Sequence, residues 1–262
     1  MPATDQLTRE IADALARATA LRAPIDQPSA SHDLSVDDAY RIQARGVAAR
    51  VERGERVVGH KVGLTSLAMQ RQLGVDQPDF GVITDAMVVP HAGALSLDEL
   101  IAPRLEPEFA FRIDRALPAS PTTEQVAAAI GAVAVSIEVI DSRVRDWRIG
   151  LADTIADNAS SARIVLGAWV AASGELLARL ADTRVALERD GTEVAAGPGS
   201  AVLGDPVVAV HWLATTIGRY GQAFEPGSVV LSGAVCGAVA PDGPGTWRAI
   251  AQGFEPAVLR AT

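Results

Sequence analysis

The sequence predicts an α+β protein in which a helical N-terminal segment leads into a mostly β body, and three observations carry that expectation. Apolar residues recur at helical spacing near the start, at Leu7, Ile11, Leu15 and Ala18. From Val57 onward the pattern changes to short apolar runs separated by Gly, Pro and Asp turn signals. The clearest of these runs, 104–113, alternates with period two. Leu105, Pro107, Phe109, Phe111 and Ile113 share one face, and Arg104, Glu106, Glu108, Ala110 and Arg112 share the other.

Residues 5–22 read as an amphipathic helix. A second helix is announced by Ser35-Val36-Asp37-Asp38, a capping box with Asp in place of the usual Glu. It runs through Tyr40, Ile42, Val47 and Val51 and stops at Gly54. Strands are expected near 57–64, 82–89, 105–113, 132–140, 163–171, 184–190, 228–235 and 247–259, with helices chiefly at 122–131 and 206–221. That many strands point to a sandwich or barrel. The division expected is 1–56 for the helical segment and 57–262 for the β domain. Gly197-Pro198-Gly199 with Gly204 reads as a turn, since its spacing is not that of a dinucleotide fingerprint.

With 262 residues, 48% of them hydrophobic and 21% charged, the chain can bury a full core. A net charge of −9 repels phosphate backbones, so nucleic acid is excluded as a partner class. The one cysteine, Cys236, cannot close an internal disulfide, and among small apolar neighbours it reads as a packed core residue. Asp5, Arg9 and Glu10 break up the N-terminus, so no signal peptide is expected there, and no uninterrupted apolar stretch has the length of a membrane span. The expected location is the cytoplasm.

Glu106 and Glu108 stand side by side on one strand face, where two like charges repel unless a cation or a proton lies between them. Glu138 sits in Ala132-Val133-Ala134-Val135-Ser136-Ile137-Glu138-Val139-Ile140, an apolar run in which an ionised carboxylate needs a partner or a metal. Separately, each has a plain alternative: Glu106 and Glu108 on a solvated face, Glu138 paired with an arginine. Together the three favour a site for a hard divalent ion with oxygen ligands. Lys61, in Gly59-His60-Lys61-Val62-Gly63-Leu64-Thr65, can orient a carboxylate or move a proton, or it can snorkel from an edge strand. Asp79 lies in a polar turn that it could simply cap. The stretches 141–147 and 156–161 are dense in hydrogen-bonding groups beside the Glu138 strand. The four histidines lack the spacing of a zinc pair, and Walker loop and nucleophile elbow are absent.

Taken in order, Gly59–Thr65, Gln72-Leu73-Gly74-Val75-Asp76-Gln77-Pro78-Asp79-Phe80-Gly81, Glu106-Pro107-Glu108, Glu138-Val139-Ile140-Asp141-Ser142-Arg143 and Ala156-Asp157-Asn158-Ala159-Ser160 give the chain a family likeness. It resembles the 2-oxopent-4-enoate (2-hydroxypenta-2,4-dienoate) hydratase and 4-oxalocrotonate decarboxylase family of the fumarylacetoacetate hydrolase superfamily. The resemblance implies a β-roll of curved mixed sheets around a metal cleft. It implies Mg²⁺ or Mn²⁺ on Glu106, Glu108 and Glu138, an active-site lysine at Lys61 and a cleft aspartate at Asp79. It also implies that Ser160 holds the substrate carboxylate. Arg145-Asp146-Trp147 after Asp-Ser-Arg resembles the hydratase branch, which adds water to a small 2-hydroxydienoate in meta-cleavage degradation of aromatic compounds. The decarboxylase reaction is the alternative, and a non-catalytic partner subunit is the alternative of another class. Homo-oligomers, and association with other enzymes of the same pathway, are implied by the resemblance alone. The stretch Pro241–Thr246 departs from the simpler turn of the family, and His60 receives no role.

Overall fold

Thr4 and Ser35 set the starts of the two N-terminal helices. In the structure, a computed structural model that describes residues 2–66, 70, 75 and 77–262, α1 spans Asp5–Leu21 and α2 spans Val36–Glu52. The Thr4 hydroxyl accepts from the Leu7 amide at 3.2 Å, and Ser35 and Asp38 form the expected reciprocal box. Such caps satisfy first-turn amides and stabilise by about 1 kcal/mol each. Ile11, Leu15, Ala39, Tyr40 and Ile42 turn inward and join the same buried cluster as the strands.

Among the described residues twelve strands follow: β1 (Val57–Gly63), β2 (Asp79–Thr84), β3 (Gly93–Leu95), β4 (Arg104–Ile113), β5 (Ile130–Ile140), β6 (Ser161–Leu166), β7 (Val170–Ala171), β8 (Arg184–Arg189), β9 (Thr192–Pro198), β10 (Ser228–Ala234), β11 (Gly245–Ala251) and β12 (Ala257–Ala261). One sheet has the order β2-β1-β10-β4-β5-β6, with β7 also on β5, and the other β3-β12-β11-β8-β9. The β1–β10 and β3–β12 pairs are parallel and the rest antiparallel. Register breaks in β4, β5 and β10 bend the larger sheet, because a bulge adds local twist and curvature. The result is a curled, mixed half-barrel within an α+β fold.

The alternation in β4 fixes its two faces. Leu105, Phe109, Phe111 and Ile113 are at most 1% exposed and share a core with Val185, Leu187, Trp247 and Leu259 of the second sheet. The opposite face carries Glu106 and Glu108. Four helices complete the fold among the described residues: α3 (Thr123–Ala129), α4 (Leu151–Ala156), α5 (Gly174–Arg179) and α6 (Pro206–Ile217).

Several expectations need correction. The apolar runs 163–171 and 247–259 are each two strands, because Gly167 to Trp169 and the turn at 252–256 interrupt them. β2 lies earlier than expected, so Asp79 begins a strand rather than capping a turn, and the 3₁₀ turn Asp85–Met87 takes up part of the remaining run. β3, α4 and α5 are short, and β9 has Val194 as its only large apolar side chain; all four escaped the pattern. Lys61 is on no edge, since β1 lies between β2 and β10. Gly197 and Pro198 end β9, and only Gly199 enters the following 3₁₀ turn. Cys236 is half-buried at the margin of the core rather than inside it. The helical run Gly199–Tyr220, of mean hydropathy 1.3, is long and apolar enough to cross a membrane. Here it is a core helix, with Val207, Ala209, Val210, Leu213 and Ile217 buried. Gln72, Leu73, Gly74 and Asp76 of the second motif lie outside the described residues.

Arg143 and Asp157 tie the loop after β5 to the turn before β6. The Arg143 amide donates to Asp157 Oδ2 at 2.9 Å and the guanidinium Nε donates to Oδ1. Their side chains are 9% and 1% exposed. Arg143→Met leaves that carboxylate buried and unpaired, with an expected cost of about 3–5 kcal/mol. A urea melt reads this directly, and a loss under about 1 kcal/mol would show the pair to be dispensable.

Candidate functional site

Strand register brings the three glutamates together. Glu106 pairs directly with Glu138 across β4 and β5, and Glu108 lies one step along, opposite Ser136. A ligand oxygen from each of the three lies within 4.8 Å of the others. Glu108 and Glu138 are fully buried, while Glu106 keeps part of its surface open. The register break between Leu231 and Ala234 frees the Gly233 amide, which donates to Glu108 Oε2 at 2.8 Å. Glu108 Oε1 and both oxygens of Glu138 accept no hydrogen bond. Buried acceptors without donors are costly, and carboxylate oxygens converging in this way are the donor set of Mg²⁺ or another hard divalent ion. Burial pushes the Glu106 carboxyl up to about 7, with Glu138 adding repulsion against the pull of Lys61. Burial, then Glu138 and Glu106, raise Glu108 well above the usual carboxylate range.

Lys61 and Asp79 reach the trio from the neighbouring strands β1 and β2. Lys61 Nζ donates to the Ala159 carbonyl at 2.9 Å and lies 3.3 Å from Glu138 Oε2. Burial works against its charge, but Glu138, Asp79, Glu106 and Glu108 outweigh burial and hold the ammonium protonated. Asp79 is 1% exposed. Its Oδ2 accepts from the Thr154 hydroxyl at 3.1 Å and its Oδ1 has no partner. Burial raises its carboxyl, against the lowering effect of Lys61. Gly63 faces Asp79 in the β1–β2 register. A Cβ there would stand 2.1 Å from Asp79 Oδ1 and 3.3 Å from Lys61 Nζ. Gly63→Ala is therefore expected to displace Asp79 and lower kcat by about 10²-fold, the penalty of a misplacement near 1 Å. Unchanged kcat in a folded Gly63→Ala protein would show that Asp79 is not held for chemistry.

The turn 158–160 is strained. Asn158, Ala159 and Ser160 all have left-handed backbones, with φ of 56, 51 and 56, a conformation costing about 1–2 kcal/mol per non-glycine residue. The Asn158 side chain clamps the turn to β2, accepting from the Val82 amide at 2.8 Å and donating to its carbonyl at 2.9 Å. The Ser160 carbonyl accepts from the Asp141 amide at 2.8 Å. Held in this way, the turn presents the Ala159 carbonyl to Lys61 and leaves the Ser160 hydroxyl buried without a partner.

Glu106, Glu108, Glu138, Lys61 and Asp79 thus converge, with Ser160 beside them. Sequence reasoning missed the Thr154 hydroxyl, the Gly233 amide and the Ala159 carbonyl, two of which are backbone groups that no side-chain pattern reveals. His60 points away from this face, its Nε2 2.7 Å from Gln222 Oε1, with its ring among Phe80 and Phe224. The Cys236 thiol is pushed up to about 11, chiefly by burial, which leaves it a poor nucleophile.

Comparison with known proteins gives consistent matches. The family model described as fumarylacetoacetate (FAA) hydrolase C-terminal matches residues 56–255. A 2-keto-4-pentenoate hydratase of Burkholderia vietnamiensis (strain G4 / LMG 22486) is 44% identical over 229 residues, covering 86% of this chain and 84% of that protein. A 2-hydroxypent-2,4-dienoate hydratase of Pseudomonas putida is 42% identical over 220 residues, covering 83% and 98%. The solved structure of 4-oxalocrotonate decarboxylase from Pseudomonas putida G7, complexed with magnesium and adipate, has a TM-score of 0.92 at 31% identity, covering 99% of each chain.

Proposed function

This chain belongs to the fumarylacetoacetate hydrolase family, and from that premise we propose that it is a hydro-lyase adding water to 2-hydroxypenta-2,4-dienoate to give 4-hydroxy-2-oxopentanoate. The observation that carries the reading is the convergence of Glu106, Glu108 and Glu138, with unpartnered oxygens, beside Lys61 and Asp79. Identity of 42–44% to hydratases, against 38% to a 4-oxalocrotonate decarboxylase of Pseudomonas sp, leans toward hydration, although another hydratase is also 38% identical.

The three glutamates fit a divalent ion, and Mg²⁺ or Mn²⁺ is proposed. When bound, such an ion supplies Lewis acidity that stabilises negative charge on the substrate's 2-oxygen. Lys61, kept protonated by its carboxylate neighbours, serves as a fixed cation and hydrogen-bond donor for the substrate carboxylate. The free Ser160 hydroxyl is a second donor for that carboxylate. With Lys61 given to the substrate carboxylate, proton movement is assigned to Asp79. Its unpartnered Oδ1 would give a proton to C5 as the 2-hydroxyl releases its own to solvent, and take one from the water that adds at C4 while C3 gains a proton from solvent. Thr154, on Oδ2, fixes the orientation of the carboxyl.

The test is ultraviolet loss of freshly made 2-hydroxypenta-2,4-dienoate, with Mg²⁺ and then with EDTA, and identification of the product. Metal-dependent formation of 4-hydroxy-2-oxopentanoate is expected. Loss of CO₂ from 4-oxalocrotonate without hydration of the dienoate would move the protein to the decarboxylase branch. Tight metal binding with neither turnover would make it a non-catalytic partner subunit.

A further inference from the structure

Gln43 is a polar residue on the inward face of α2, buried together with Ala39, Tyr40 and Ile42. Helical spacing accounts for those apolar neighbours and gives no reason for an amide among them. At 2% exposure the group is costly unless its two N–H donors find acceptors. Both do. Nε2 donates to the Phe80 carbonyl at 2.8 Å and to the Ile155 carbonyl at 3.0 Å.

Phe80 follows Asp79 and Ile155 follows Thr154, and the Thr154 hydroxyl donates to Asp79 Oδ2 at 3.1 Å. The contacts therefore close a ring. It runs from the Asp79 carboxylate through Thr154 to Ile155, across Gln43 to Phe80, and back along β2 to Asp79. The six-residue helix α4, Leu151–Ala156, is too short to hold its own place. Asp153 fastens its start, accepting from the Ser29 amide and the Gly150 amide, each at 2.8 Å. Gln43 fastens its end. On the β2 side, Tyr40 of the same helix stacks on Phe80 with ring centroids 4.4 Å apart, so α2 grips Phe80 by ring and carbonyl together. The ring calls for an amide of this length. Glutamate would set a charge against two carbonyl oxygens, methionine has no donor, and asparagine is one methylene short.

We infer that Gln43 is a positioning residue for proton transfer: it keeps the Thr154 hydroxyl on Asp79 and so fixes the direction of that carboxyl. The inference rests on the proposed function, which gives the proton transfers to Asp79. The Gln43 amide donates to neither the three glutamates nor Ser160, so its loss should leave metal and substrate binding in place and slow the chemical step.

Steady-state hydration of 2-hydroxypenta-2,4-dienoate by the Mg²⁺-loaded protein tests it with Gln43→Met, which keeps the length of the side chain and removes its donors. We expect kcat to fall by about tenfold or more, the effect of a misplaced reacting group, with KM and the calorimetric affinity for Mg²⁺ unchanged. Thr154→Val removes the hydroxyl through which Gln43 acts. The Gln43→Met/Thr154→Val double variant should therefore lose no more than about twofold beyond the slower single variant. Two losses that multiply, a kcat unchanged in folded Gln43→Met, or a loss confined to KM or to Mg²⁺ affinity would overturn the inference. Circular dichroism and melting establish folding, and Gln43→Asn, which reaches one carbonyl at most, carries the same test where Gln43→Met does not fold. Failure of both to fold would make the glutamine a structural residue and nothing more. If wild type does not hydrate the dienoate, the proposed function falls and takes this inference with it. If wild type hydrates it and the Gln43 variants match its kcat, only this inference falls.

Discussion

Glu138→Gln is expected to eliminate divalent-metal binding and, with it, more than about 10²-fold of the activity, since even residues that merely support metal ligands are worth 10–100-fold. Glu138 sits between its two partners: it pairs with Glu106 across the sheet, and it raises the Glu106 and Glu108 carboxyls by repulsion. Neither of its oxygens accepts a hydrogen bond, so nothing in the protein alone satisfies it except the nearby charge of Lys61. Glutamine keeps the volume and removes the charge. In wild type, Mg²⁺ at about 100 times its dissociation constant should stabilise by roughly 2.7 kcal/mol, a rise in melting temperature of about 5–10 °C for a chain of this size. In Glu138→Gln that rise should vanish. With EDTA present, the variant should melt no lower than wild type, because it relieves repulsion among carboxylates. A metal-dependent rise persisting in the variant would remove Glu138 from the site.

The same carboxylates set a pH dependence in the metal-free protein. Folding lifts the Glu106 carboxyl to about 7 from an unfolded value near ~4.3. The folded state therefore holds that proton more tightly. The associated stability is fully present below the unfolded value and is lost as pH rises toward 7. Thermal melts in EDTA should accordingly fall between about pH 4.5 and 7. A metal-free melting temperature that stays flat or rises across that window would contradict the burial of an unmatched carboxylate at Glu106.

Glu106, Glu108 and Glu138 were legible in the sequence because strand alternation is a strict geometric rule. Once 104–113 is read as a strand, its two glutamates must share a face, and a lone carboxylate in an apolar strand is conspicuous. The pairing of Glu106 with Glu138 was not legible, because register is set by turns and bulges distant from both residues. Lys61 and Asp79 could be named by resemblance, but their surroundings could not. The Ala159 carbonyl that receives Lys61 exists only because 158–160 adopts a left-handed turn that no propensity favours. Boundaries failed where short elements meet. Asp79 reads as a turn residue because Pro78 and the polar residues before it mask the start of β2, whereas the patterning of β4 and β5 marks their ends to within two residues.

Lys61→Met should show the opposite pattern to Glu138→Gln: metal retained, turnover lost. Lys61 is buried at 3% exposure, and its ammonium is held in place by the Ala159 carbonyl and by Glu138. Its charge competes with a metal ion for the same carboxylate oxygens. Removing it takes a repelling cation from beside the site, so metal affinity should hold or rise. Turnover should drop by about 10²-fold or more, the cost of losing a group that positions the substrate. With EDTA the variant should be less stable than wild type, because three clustered carboxylates then lose the cation closest to them. Calorimetry of Mg²⁺ binding, kcat and melting in EDTA therefore separate the two residues. If Lys61→Met loses metal and activity together, the lysine acts by holding the glutamates in place. If metal binding and kcat both survive, the fixed cation is not what binds the substrate carboxylate, and that work falls to Ser160 alone.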